Sequence, residues 1–198
     1  STLITRETTL IAWMVIALAA VVYLVRNALI GRRPARWLPA VAAVGVALWL
    51  GNGARGVPLG EVEAFLPPSD IDVVPGSGAL EVTWIVNDHP KALELAARSG
   101  KLVLIDFTGY TCTNCRWMEA NMFSRAQIAE SMSRYVLSRL YTDGAGDIYE
   151  RQQKFQEDQF GTIALPLYAI VDAHGRTVRT FSGLTRSPAE FLAFLRDA

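Results

Sequence analysis

Residues 102–119 read LVLIDFTGYTCTNCRWME. Leu102–Phe107 is an apolar run broken by one acid, Asp106. A short run without alternation is a strand covered on both faces, as in parallel or mixed sheets. Two cysteines follow, Cys112 and Cys115, the only two in 198 residues. Cysteines this close do not close a long loop, so they are either a redox pair or half of a metal site. The spacing suits redox chemistry. Two intervening residues let the sulfurs meet across a first helical turn, and a helix N-terminus favours the thiolate of the first. Cys112 is then the exposed nucleophile and Cys115 the buried resolver. Structural zinc takes four ligands. The other candidates of the right type, His89 and His174, do not stand at ligand spacing, so no metal is expected.

Elements fall into order on either side of this stretch. Glu81–Val86 reads as a short strand, and Pro90–Ser99 as a helix stopped by Gly100. After the cysteines comes a helix that restarts at a capping box formed by Ser124 and Gln127. Tyr135–Tyr141 is a strand and Ile148–Phe160 a helix. Leu167–Val171 and Thr177–Phe181 form a hairpin around residues 172–175, and Ser187 caps a last helix to Arg196. The order β-α-β-α-β-α-β-β-α predicts an α/β fold with a central mixed sheet flanked by helices.

The N-terminal quarter is different. Residues 1–53 hold no Lys, Asp or His and one acid, Glu7. Leu10–Val25 carries no polar side chain except the Tyr23 hydroxyl. Carried on to Ile30 it makes a helix of about 31 Å, enough for a hydrocarbon core of about 30 Å. A signal peptide fits poorly, because only Arg6 precedes the run and no small-x-small site follows promptly. A second apolar segment, 35–53, has Trp37 and Trp49 near opposite ends, where interfacial tryptophans sit. Between the segments lie Arg26, Arg32, Arg33 and Arg36, which mark the cytoplasmic side. Two spans would put the cysteine domain outside that side; a single span would leave it in the cytoplasm. The expected organisation is a membrane segment at 1–53 with helices at about 8–30 and 35–53, an extended linker at 54–79, and the α/β domain at 80–198. Lys plus Arg equals Asp plus Glu, 19 each, so no charge excess points to nucleic acid.

A Cys-x-x-Cys after a buried strand is a thioredoxin-like redox signature. The segment FGTIALP (residues 160–166) looks like the thioredoxin segment that ends in a cis-proline, which predicts a cis bond before Pro166. The string DFTGYTCTNCRWME (residues 106–119), continued by Phe123-Ser124 and Gln127-Ile128, resembles something narrower. It is similar to the C-terminal periplasmic domain of the DsbD-type thiol:disulfide interchange proteins, which also serve cytochrome c maturation. The hydrophobic segments resemble the last helices of that family's membrane domain. The resemblance implies a thioredoxin-like fold and a bacterial inner-membrane protein with its redox domain in the periplasm. It implies a protein-disulfide reductase, with Cys112 attacking, Cys115 as its partner, and Asp106 and Glu119 as two acids close to the pair. The implied partners are periplasmic thiol and disulfide proteins and a membrane-embedded cysteine pair as electron donor. No cofactor beyond the disulfide is implied. The chain departs from the pattern in two ways. Thioredoxin's Gly-Pro dipeptide is Thr113-Asn114, and the hydrophobic part has no cysteine, so the chain is a fragment or another protein supplies electrons.

Individual residues refine these expectations. Asp106, alone in an apolar strand, should have a raised pKa and take the proton of Cys115. Glu119, four residues after Cys115, shares its helix face, or else pairs with Arg116. Leu165, exposed by a cis Pro166, could pair with a substrate's extended chain, and Tyr110 and Thr111 flank the motif on the substrate side. Tyr110 and Trp117 could equally be core packing. Thr113 and Asn114 carry no charge, and Asp106 and Glu119 would repel a thiolate, which makes the pair reducing. The alternatives are a disulfide-forming oxidase, a copper(I)-binding module using the two thiolates, and a chaperone domain whose cysteines stay oxidised.

Overall fold

A computed structural model describes residues 5–31, 35, 37–57, 59–67 and 83–196. Arg32, Arg33, Arg36, the start of the first expected strand and half of the expected linker lie outside the described residues. The chain divides into two compact units, one of N-terminal helices and one holding the cysteines.

The first unit contains α1 (Arg6–Gly31) and α2 (Trp37–Ala54), of 26 and 18 residues. At 1.5 Å per residue these run about 39 and 27 Å. Both are long and apolar enough to be candidate membrane spans. Most of their large apolar side chains, including Ile16, Val22, Leu38 and Leu48, are exposed. Arg6 at the start of α1 donates to the carbonyls of Gly53 (2.9 Å) and Val57 (3.3 Å). The Gly53 carbonyl also accepts from the Gly56 N–H at 2.9 Å, so the side chain and the turn share the last carbonyls of α2. The expected linker is not extended throughout. Gly60–Phe65 forms a 3-10 turn, and Leu59, Val62 and Leu66 pack with Leu10 and Leu50. Burying these apolar side chains outweighs the extended preference of the flanking prolines.

The second unit is built on five strands: β1 (Trp84–Val86), β2 (Val103–Thr108), β3 (Val136–Tyr141), β4 (Leu167–Val171) and β5 (Thr177–Ser182). Their order in the sheet is β1-β3-β2-β4-β5. β1, β3 and β2 run parallel, and β4 and β5 antiparallel. All six residues of β2 are buried. The helices are α3 (His89–Ser99), α4 (Thr113–Trp117), α5 (Ala126–Met132), α6 (Asp147–Phe160) and α7 (Pro188–Arg196). Gly100 stops α3 as expected, with φ 68° and its N–H on the Ala96 carbonyl.

Side chains on a strand alternate between faces, and the two faces have separate cores. Val103, Ile105 and Phe107 pack with Ala92 and Ala96 of α3 and with Phe155 and Phe160 of α6. Leu104, Leu137, Tyr168 and Ile170 pack with α4, α5 and α7 through Met118, Met122, Phe123, Ile128 and Phe191. Asp106 and Arg139 share the parity of Leu104 and Leu137, so their charges fall on the face that carries the cysteine helix.

The expected capping box does not form. Met118–Phe123 is a π turn that keeps the backbone helical through Ser124. The Ser124 hydroxyl therefore bonds back to the Ala120 carbonyl (2.7 Å) and not forward, and α5 starts at Arg125 with no side-chain cap. The π turn places Phe123 in a ring cluster with Trp84, Tyr168 and Phe191, at centroid distances of 5.9, 5.7 and 5.8 Å. Phe123→Ala should destabilise the domain by about 3–5 kcal/mol. Denaturant unfolding of the full chain in detergent, followed by tryptophan fluorescence, measures this; a loss under about 1 kcal/mol would mean the cluster is not a core.

Candidate active site

β2 delivers the chain to the C-terminal end of the parallel strands, where α/β folds place their sites. Cys112 and Cys115 are disulfide-bonded there, with a Cα–Cα distance of 5.3 Å. Cys112 is the N-cap of α4, and the Cys115 N–H donates to its sulfur at 3.2 Å. Cys112 is half-buried and Cys115 is fully buried. Thr113 and Asn114 between them are exposed. Met118, a conceivable soft ligand, is fully buried in the core, and His89 packs on Phe155 at 5.2 Å.

Behind the pair lies a charged cluster that corrects two expectations. Asp106 is not alone: Arg139 Nε donates to its Oδ2 at 3.1 Å. The register sets them opposite each other on β2 and β3. Glu119 is held by Arg116 (2.6 Å) and by the Thr108 hydroxyl (3.1 Å), with Arg139 at 4.0 Å. The ion pair with Arg116, weighed from the sequence as the other option, does form. The two acids are therefore balanced by two arginines, and their repulsion of a thiolate is largely cancelled. Burial pushes the Asp106 carboxyl up to about 6, against the opposing pull of Arg139, with the Glu119 carboxylate adding to the rise. Asp106 Oδ1, Tyr168 Oη, and Arg116 Nε and Nη1 are buried with no hydrogen-bond partner among the described residues. Tyr168 stands opposite Asp106 on β4.

In front of the pair the loop is fixed by a residue that sequence reasoning missed. Asp143, just past β3, accepts from Tyr110 N (2.6 Å), Thr111 N (2.9 Å) and Thr111 Oγ1 (2.8 Å). The ring of Tyr110 stacks on Tyr141 at 4.0 Å, and its hydroxyl lies 3.3 Å from that of Tyr149. Tyr110 is thus part packing and part surface, 37% exposed, while Trp117 is buried under the Arg186 guanidinium. The Leu165–Pro166 bond is cis, as the sequence predicts. A Cβ on Gly109 would come 2.7 Å from Asp143 Oδ2 and 3.1 Å from Leu165 Cδ1. Glycine at 109 lets three segments meet: the loop before Cys112, the turn after β3, and the approach to Pro166.

Asp143 reads in sequence as a turn residue, yet its place at the end of a parallel strand beside the cysteine loop is the signal that finds it. Arg139 is detectable as a lone charge on the inward face of an apolar strand.

Residues 84–173 match the model of a thioredoxin-like family. The cysteine unit has a thioredoxin-like α/β fold. A thioredoxin from Thermus thermophilus is similar in structure, with a TM-score of 0.50 and 24% identity over 60% of this chain and 87% of that one. A second solved structure, titled DsbH Oxidoreductase, aligns at TM-score 0.47 and 16% identity over the same shares, 60% and 87%. Comparison with curated protein sequences finds no match. A thioredoxin-like oxidoreductase fold carrying a Cys-x-x-Cys disulfide points to thiol–disulfide exchange.

The raised Asp106 carboxyl has a consequence for stability. A carboxyl that binds its proton more tightly folded than unfolded favours the native state as pH falls through its folded value. Between pH 7 and pH 5, wild type should therefore gain stability relative to Asp106→Asn. Unfolding of the two oxidised proteins at both pH values measures the difference. A difference unchanged with pH would mean that Asp106 titrates near its ordinary value.

Proposed function

We propose that this protein is a membrane-anchored protein-disulfide reductase working through Cys112 and Cys115. The observation that carries the reading is the asymmetry of the pair. Cys112 is accessible and receives an N–H, while Cys115 is sealed below it. In the reduced protein the Cys112 thiolate attacks one sulfur of a partner's disulfide. That S–S bond breaks, a mixed disulfide forms, and the partner's second sulfur leaves as a thiolate that takes a proton. Cys115 then gives up its proton and attacks the Cys112 sulfur. The mixed disulfide breaks, the partner leaves with two thiols, and the Cys112–Cys115 disulfide closes.

Asp106 is the proton acceptor for Cys115 in this scheme. One of its oxygens is taken by Arg139, while Oδ1 is buried with no partner among the described residues, and burial raises its pKa to about 6. Glu119 and Arg116 serve as the counter-charges that keep Asp106 and Arg139 in place. Tyr110, Thr111 and the half-buried Leu165 form the surface that meets the partner's chain, and Pro166, buried behind Leu165, sets the cis bend that presents it. The uncharged Thr113-Asn114 dipeptide supports the reducing direction, because a positive residue there would stabilise a thiolate and make an oxidant.

The resemblance to DsbD-type proteins supports the setting: an inner-membrane protein with its redox domain in the periplasm. Its partners there are disulfide-bearing proteins, including cytochrome c maturation factors. Its electrons come from a membrane-embedded cysteine pair. The apolar helices α1 and α2 are compatible with two spans.

Two measurements test this. The full chain in detergent, equilibrated with thiol buffers, should show a reduction potential of about −220 mV or lower; a value near about −120 mV would mark an oxidant. In cells with a permeabilised outer membrane, an impermeant maleimide should label reduced Cys112. Labelling only after the inner membrane is broken would put the domain in the cytoplasm.

A further inference from the structure

The charge beside the disulfide has to be reassigned. Asp106 and Glu119 are matched by Arg139 and Arg116. Asp143 is not matched: among the described residues no lysine, arginine or histidine pairs with it. Its carboxylate is held by two backbone N–H groups and one hydroxyl, all from Tyr110 and Thr111. Partial burial works against its charge, but the bonds from Thr111 and Tyr110 outweigh it and hold the carboxyl below the usual range. The side chain is also lodged under Gly109, whose missing Cβ leaves the room it occupies. A fixed negative charge therefore lies against the peptide units that lead directly into Cys112.

We infer that Asp143 is a positioning residue for the exchange reaction: it fixes the 109–111 loop that presents Cys112 and, through its unbalanced charge, keeps the Cys112–Cys115 pair reducing. The second part rests on the reductase reading above. A carboxylate near a sulfur disfavours its thiolate and leaves the neutral disulfide untouched. The reduced form is then less stabilised, and the pair gives up its electrons more readily.

Two substitutions grade the loss of charge against the loss of loop support. Asp143→Asn removes the charge and keeps one acceptor oxygen for Thr111, while its amide nitrogen cannot accept from Tyr110 N; Asp143→Ala removes the charge and every acceptor. The readouts are the pH dependence of Cys112 alkylation in the reduced full chain and the reduction potential of the pair. For Asp143→Asn the alkylation profile should move to lower pH, raising reactivity at neutral pH by up to about tenfold. The pair should become more oxidising by up to about 30 mV, the tenfold equivalent for a two-electron couple. An Asp143→Asn protein with wild-type profile and potential overturns the charge role, even if Asp143→Ala is altered or fails to fold. The wild-type potential alone decides whether the protein is a reductase. The difference between wild type and Asp143→Asn decides the present inference, so the two can fail separately.

Discussion

β2 has neither a free edge nor a free face. It is hydrogen-bonded to β3 on one side and β4 on the other, and covered by helices above and below. Everything at the active site hangs from this constraint. A strand so enclosed has one place to emerge, the C-terminal end of the parallel strands, and Cys112 and Cys115 follow it there. The same enclosure makes Asp106 consequential. A carboxylate on an exposed strand would be a solvated charge, but on β2 it must be paired, protonated or both.

The pairing comes from strands distant in sequence. Arg139 faces Asp106 because β3 runs parallel to β2 in a register that sets 106 against 139. Arg116 and Glu119 complete the group from α4 and the π turn, with Thr108 between them. The result is a charge-balanced patch under the cysteine helix. Removing one member would leave a buried charge uncompensated, which costs more than the pair itself contributes. Asp106, Tyr168 and Arg116 each keep a buried polar atom with no hydrogen-bond partner among the described residues.

Above the disulfide the logic is different. Asp143, Gly109 and Leu165 come from three separate segments, and their contact depends on a glycine with no room for a Cβ. Beside it Tyr110 stacks on Tyr141 and meets Tyr149 edge-on. The Asp143 carboxylate, with no cationic partner among the described residues, lies against the loop that leads into Cys112.

Much of this was legible in the sequence, because it depends on local pattern. The apolar run at 102–107, the Cys-x-x-Cys, the glycine stop at 100, the hairpin at 167–181 and the two apolar N-terminal helices are each written within about twenty residues. So is the cis bond before Pro166. The capping box at Ser124 misled, because a π turn, which no local signal marks, carried the helix past it. The electrostatics could not be read locally at all. Whether Asp106 is alone or paired depends on strand register, and whether Asp143 is a turn residue or a clamp on the cysteine loop depends on which loops the sheet order brings together. Sequence by itself located the cysteine pair and the strand that carries it; the tertiary structure decided which charges lie paired or unpaired around that pair, because Coulomb interactions follow distance in space and not separation along the chain.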